Sequence, residues 1–184
     1  MAMGKQTHVV VICGPAGSGK STIAKSLASD LAYVYIEGDN YHTQDAVQRM
    51  SDGLPLTEAY RWDWLIRLRD TARSALDNNA VGVVLSCSAL KRKHRDVIRI
   101  LALRSPGVFM SFVYLKVSSD ALLLRVRTRK GHYMKEDMVD SQLASLEEPD
   151  IAEEDVMTVD ASDTIVSVCG TVKSEVLGRI CLLA

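Results

Sequence analysis

The sequence has almost no net charge. Its 184 residues carry 22 Lys and Arg against 23 Asp and Glu, a formal −1, so no overall field recruits nucleic acid or an anionic membrane surface. Cysteines are few and scattered. Cys13, Cys87, Cys169 and Cys181 lie in apolar runs and form no C-x-x-C pair, which argues against a disulfide framework or a zinc site and reads as reduced intracellular thiols. No apolar stretch reaches the ~18 residues of a membrane span. The start Met1-Ala2-Met3-Gly4-Lys5 lacks the charged-then-apolar layout of a secretory signal. Repeats, linkers and low-complexity segments are missing as well. These absences leave the expectation of a cytoplasmic protein with one domain over residues 1–184, long enough to bury a core of its own.

Between an apolar run, His8 to Cys13, and a helical pattern starting near Gly19 lies Gly14-Pro15-Ala16-Gly17-Ser18-Gly19-Lys20-Ser21, followed by Thr22. This is G-x-x-x-x-G-K-[ST] at every fixed position, in the strand-turn-helix context that the pattern requires. Gly14 and Gly19 allow the backbone to approach a polyphosphate in conformations a Cβ forbids, so successive N–H groups can turn inward on the anion. Lys20 reaches the β- and γ-phosphates, Ser21 offers its hydroxyl to Mg²⁺, and the positive end of the next helix faces the same oxygens. A nucleoside triphosphate with Mg²⁺ is therefore the expected ligand.

Apolar runs at 9–13, 33–36, 81–85, 108–115 and 156–159 alternate with helical patterns. The expected architecture is α/β, a doubly wound five-stranded parallel sheet with right-handed crossovers. The second run ends in Glu37-Gly38-Asp39-Asn40-Tyr41-His42. Ligands of open α/β sheets gather at the carboxyl ends of the strands, so this acidic tip should face the same crevice, with Asp39 at the end of a strand beside the first. A helix after Pro55 shows the stripe Trp62, Leu65, Ile66, Arg69, Ala72 and Leu76, which places Trp62 and Leu65 in the core and Arg61 and Trp64 toward the crevice. Two polar helices, 120–130 and 135–146, flank Gly131-His132 and are expected to form a helical lid over about 120–149 that excludes water from the reacting phosphate. Arg125 and Arg129, one turn apart, are its expected phosphate ligands. His8 and His94 are expected at the surface.

No Asn-Lys-x-Asp occurs, and the third strand ends in Ser86-Cys87-Ser88 where many ATPases carry Asp. A kinase of a small molecule fits better, with Asp39 contacting the acceptor hydroxyl. The segments Gly14 to Thr22, Glu37 to His42, Met50-Ser51-Asp52-Gly53-Leu54-Pro55-Leu56, Arg61-Trp62-Asp63-Trp64-Leu65, Ser86-Cys87-Ser88-Ala89-Leu90-Lys91, Arg129-Lys130-Gly131-His132-Tyr133-Met134 and Ser141 to Pro149 together resemble the gluconate kinase (gluconokinase) family of P-loop kinases. The resemblance runs from about Val9 to Asp160. It implies ATP-dependent conversion of D-gluconate to 6-phosphogluconate on a P-loop kinase fold, often as a homodimer. It also implies that Asp39 holds the acceptor hydroxyl, that His42, Arg49, Arg61, Ser88, Lys91 and Gln142 line the sugar-acid site, and that Arg125 and Arg129 are lid arginines with a catalytic role beside Lys20. A carboxylate at one end of the substrate calls for Arg or Lys, and its row of hydroxyls for Asp, His, Ser and Gln. The chain departs from many members at Thr43, where they have Pro, and at Thr57-Glu58-Ala59-Tyr60, where they are richer in acids. Two other readings stand beside this one: a kinase of shikimate or a nucleoside monophosphate, and a nucleotide-sensing P-loop protein without an acceptor.

Overall fold

The computed structural model describes residues 6–128 and 136–183. Strands β1 (Thr7–Cys13), β2 (Val34–Glu37), β3 (Gly82–Ser86), β4 (Val108–Lys116) and β5 (Val156–Asp160) form one sheet in the order β2-β3-β1-β4-β5. Every pairing is parallel, as the alternating pattern requires. The central strands are mostly apolar because both of their faces are covered. Alternate residues of β1 serve opposite layers. Val9, Val11 and Cys13 pack with α3 (Glu58–Asp77) and α4 (Arg92–Leu103). Val10 and Ile12 pack with α1 (Lys20–Leu31) and α7 (Ile165–Leu183). Among the described residues, no helix is long and apolar enough to cross a membrane.

The sheet order corrects one expectation. β3 lies between β1 and β2, so the acidic tip belongs to an edge strand two places from the P-loop rather than to a neighbour of β1. A 3-10 turn, Gly38–Tyr41, carries Asp39 back over the end of β3. The chain then enters α2 (Gln44–Ser51), whose first turn is capped by Thr43, its hydroxyl accepting from the Ala46 N–H at 3.1 Å. Thr43, the residue that departs from the family's proline, therefore supplies the cap, and the Asp39 carboxylate is not used for it.

Three side chains, Trp62, His8 and His94, also differ from the sequence reading. Trp64 is buried at 3 % exposure while Trp62 is 36 % exposed, because the buried face of α3 runs through Trp64, Leu65, Leu68 and Ala72. Both His8 and His94 are buried. His8 lies within β1 with its ring stacked on Phe109, and His94 faces the N-terminus of α3 through Glu58.

Helices α5 (Ser119–Thr128) and α6 (Glu136–Ala144) follow β4. They meet the P-loop through an apolar cluster in which Leu122 and Val139 pack with Ala16. Arg129, Gly131 and His132 lie outside the described residues. Behind the sheet's carboxyl edge, Arg95 is almost fully buried. It donates to Glu153 from Nε at 2.8 Å and to the carbonyls of Ala89 and Glu147 at 3.2 and 3.1 Å. That network ties the loop after β3 to the stretch after α6.

Candidate active site

The turn after β1 has the backbone its glycines promise, with φ of 141° at Gly14 and 94° at Gly19, the residue that opens α1. Lys20 folds back so that its ammonium donates to the Pro15 carbonyl at 2.9 Å. Burial pushes its pKa below the usual lysine range, and Asp39 gives the strongest opposing pull. This coupling already relates the P-loop cation to the acidic tip.

Both face one cleft of about 340 Å³ at the carboxyl edge of the sheet. Ala16, Gly17, Gly19, Lys20, Ser21 and Thr22 form one wall, and Asp39, His42, Met50, Leu56, Arg61, Trp64 and Ser88 form the other. Arg125, Val126, Thr128 and Gln142 complete the lining from α5 and α6. Lys20, Ser21, Asp39, His42, Arg61, Ser88, Arg125 and Gln142, all singled out from sequence, are thus brought together.

The acceptor wall is held by bonds from several elements. Trp64 Nε1 donates to the Gly38 carbonyl at 2.8 Å, and the indole stacks on the His42 ring at 4.4 Å and 16°. The His42 side chain is 5 % exposed, with Nε2 3.9 Å from an Asp39 oxygen. Burial, aided by Arg61 and opposed by Asp39, pushes the His42 pKa down to about 4, so the ring is neutral near pH 7. Its Nδ1 and the Ser18 hydroxyl are buried without a hydrogen-bond partner among the described residues, and a ligand can satisfy such groups. Arg61 donates from Nε to the Leu56 carbonyl at 3.4 Å, and burial lowers its pKa.

Beside Ser21 sits a carboxylate that sequence reasoning did not assign. Glu37 accepts from the Ser86 hydroxyl at 2.5 Å and from the Tyr35 hydroxyl. Burial raises its pKa, but bonds from Ser86, Tyr35, Ser21 and the Asp39 backbone outweigh it, and the net shift is downward. Glu37 is therefore ionised at the foot of the P-loop.

Arg49 and Lys91 are not on the cleft wall. Arg49 Nε donates to the Pro55 carbonyl at 2.9 Å. The Lys91 ammonium pairs with Glu58 at 2.8 Å, where Lys93 and His94 also meet the same carboxylate. These partners, Lys91 first, hold the Glu58 pKa down to about 2. Gly14 and Pro15 stand behind the P-loop wall, the Gly14 N–H donating to the Ser88 carbonyl at 3.2 Å.

A second cavity, about 240 Å³, opens on the other flank of the P-loop between Gly17, Ser18, Gly19, Arg125 and the segment Ala161–Ile165. Arg125 separates the two cavities, its Nη2 donating to the Ala161 carbonyl at 2.8 Å. Sequence reasoning gave Ala161 and Asp163 no role and read Ile165 only as part of the last helix's apolar face. Their position after the carboxyl end of β5 was the available signal.

A P-loop facing a polar acceptor wall across one cleft, on a parallel five-stranded sheet, defines a P-loop kinase of a small molecule. A family described as "AAA domain" matches residues 9–149. The chain is 46 % identical over 153 residues to a protein of Schizosaccharomyces pombe named probable gluconokinase, covering 83 % of this chain and 79 % of that one. It is 37 % identical to the thermoresistant gluconokinase of Escherichia coli, over 83 % of this chain and 84 % of that one. A crystal structure of a gluconokinase from Sinorhizobium meliloti superposes with a TM-score of 0.75 at 32 % identity, covering 94 % of this chain and 97 % of that one. The chain belongs to the gluconokinase family.

Proposed function

We propose that this protein catalyses ATP-dependent phosphorylation of D-gluconate to 6-phospho-D-gluconate, with the whole chain acting as one kinase domain and α5 and α6 as its lid. The observation that carries this reading is the single cleft in which Lys20 and Ser21 face Asp39, His42, Arg61 and Ser88. The two strand spacings between β1 and β2, about 10 Å, leave room for a six-carbon acid over the end of β3.

Gluconate's carboxylate is neutralised by Arg61, and its hydroxyls are read by His42, Ser88 and Asp39. The neutral His42 ring offers one donor and one acceptor, which suits a hydroxyl better than a second charge would. Asp39 accepts the proton of the primary hydroxyl as that oxygen attacks the γ-phosphorus in line. Lys20 turns its remaining donors to the phosphates, and Arg125 and Arg129 spread the developing charge. Arg49 and Lys91 join the carboxylate end only by giving up Pro55 and Glu58. The backbone from Gly14 to Thr22 cradles the phosphates, and the cavity beside Arg125 and Ala161 takes the nucleoside.

The Ser21 hydroxyl and the ionised Glu37 carboxylate beside it form an oxygen donor set of the kind Mg²⁺ prefers. Mg²⁺ bound there supplies charge neutralisation at the phosphates. Homodimer formation is part of the same reading, and the flank of α7 where Val166 and Leu177 are both exposed offers an apolar surface for it.

Coupled ADP release measured with gluconate, shikimate and AMP separates the possibilities. Gluconate alone should accelerate nucleotide consumption. Equal or faster turnover with either of the others, or hydrolysis indifferent to all three, rejects the assignment.

A further inference from the structure

One peptide unit of the P-loop is gripped at both ends. The carbonyl of Pro15 accepts from the Lys20 ammonium at 2.9 Å, and the N–H of the same unit, on Ala16, donates to Gln142 Oε1 at 2.8 Å. Gln142 stands on α6, 126 residues further along the chain, and is 5 % exposed. A backbone N–H can only donate, so the side-chain oxygen must be the atom facing the P-loop. The contact is supported from below, where Leu122 and Val139, both at 0 % exposure, pack with Ala16 and fix α6 on the loop.

We propose that Gln142 is a positioning residue for the phosphate-binding loop and that it acts on the donor side of the reaction rather than as a reader of the sugar acid. This inference rests on the kinase reading above and refines it. When an incoming polyphosphate draws on the other donors of the Lys20 ammonium, the tie at the carbonyl end of the Pro15–Ala16 unit weakens. The Gln142 bond at the other end then sets which way the Ala16 N–H points. A buried N–H has to be paired, so without Gln142 the unit turns toward whatever acceptor is nearest. The P-loop wall beside the transferring phosphate then loses its fixed shape. Through this bond α6 contributes to the geometry of the donor without touching the reacting atoms.

The test is Gln142→Met, which keeps the length and apolar bulk of the side chain and removes the acceptor. Turnover should fall about tenfold, the rate equivalent of one neutral hydrogen bond, while the KM for gluconate stays within about twofold. A raised gluconate KM with turnover intact would make Gln142 a sugar-acid ligand and overturn the proposal. So would a lowered Tm with both constants unchanged, the result of a purely structural bond. A second readout needs neither activity nor the variant: in nucleotide-free wild-type protein the Ala16 amide should exchange its hydrogen slowly, and fast exchange overturns the proposal. Gln142→Met, where it folds, should speed that exchange, and an unchanged rate counts against the proposal. Because exchange is read without gluconate, failure of the gluconate assignment shows in the wild-type assay and is told apart from failure here.

Discussion

Alanine at position 38 would place a methyl carbon 2.2 Å from the Ser86 carbonyl oxygen and 3.3 Å from Cζ2 of Trp64. Neither neighbour can easily give way. The first is β3 backbone, in register with Glu37. The second belongs to a buried indole that donates to the carbonyl of Gly38 itself. The acidic tip must therefore move outward, by about 1 Å, carrying Asp39 with it, and a shift of that size costs on the order of a hundredfold in rate. Overpacking of this kind destabilises by about 1–3 kcal/mol, which in a chain of this size lowers Tm by roughly 2–12 °C. Gly38→Ala should be compared with Gly170→Ala. Gly170 is an exposed helical glycine whose added Cβ meets nothing within 4 Å, so its alanine should be neutral or raise stability by up to about 1 kcal/mol. Thermal unfolding and coupled ADP release read both. A Gly38→Ala protein with wild-type Tm and turnover would show that the strand tip does not set the position of Asp39.

Acid should weaken the fold before any carboxylate pair titrates. Burial lowers the pKa of His8, His42 and His94, so the unfolded chain binds more protons than the folded one and stability falls with pH. For His42 the window runs from the ordinary 6.5 down to about 4, a loss of about 3 kcal/mol across it; a Tm that stays flat between pH 7 and 4.5 would refute this. Glu153→Gln removes the acid that faces the buried Arg95 and should cost about 3–5 kcal/mol in urea unfolding, whereas a loss below about 1 kcal/mol would mean that the guanidinium finds another partner or water. Arg125→Ala should lower turnover more than ATP affinity, since a cation that meets charge developing in the transition state acts mainly on the rate. A raised nucleotide KM with turnover kept would make Arg125 a binding residue only.

The P-loop was legible because phosphate binding constrains its glycines, lysine and serine within one short stretch, and the strand before it and helix after it have clear periods. The sheet itself followed from the same alternation, but its order did not. Nothing in the run Tyr33–Ile36 says whether it pairs with β1 or β3, and the 3-10 turn that returns Asp39 to the cleft rests on contacts with Trp64 and Ser86. Periodicity alone put Trp62 in the core. The choice went to Trp64 because its indole nitrogen meets a carbonyl 26 residues away, while Trp62 stays outside with the Lys93 ammonium over its ring. His94 was misplaced for a similar reason, since its ring partners are Glu58, at the start of α3, and the backbone N–H of Lys91, the cap of its own helix. Lys91 was chosen by resemblance and lies off the cleft, held by a glutamate that no local pattern links to it. Glu37 was seen in sequence as part of an acidic tip, but its bonds to Tyr35 and Ser86 appear only once β2 and β3 are paired.

The most direct test is gluconate-dependent ADP release from ATP by the wild type, Lys20→Ala and Asp39→Asn, with folding of each checked by circular dichroism. The wild type should turn over only when gluconate is present, and both folded variants should lose that turnover. Full gluconate-dependent activity in Asp39→Asn would contradict the claim that the acidic strand tip and the phosphate loop work on one substrate pair across a shared cleft.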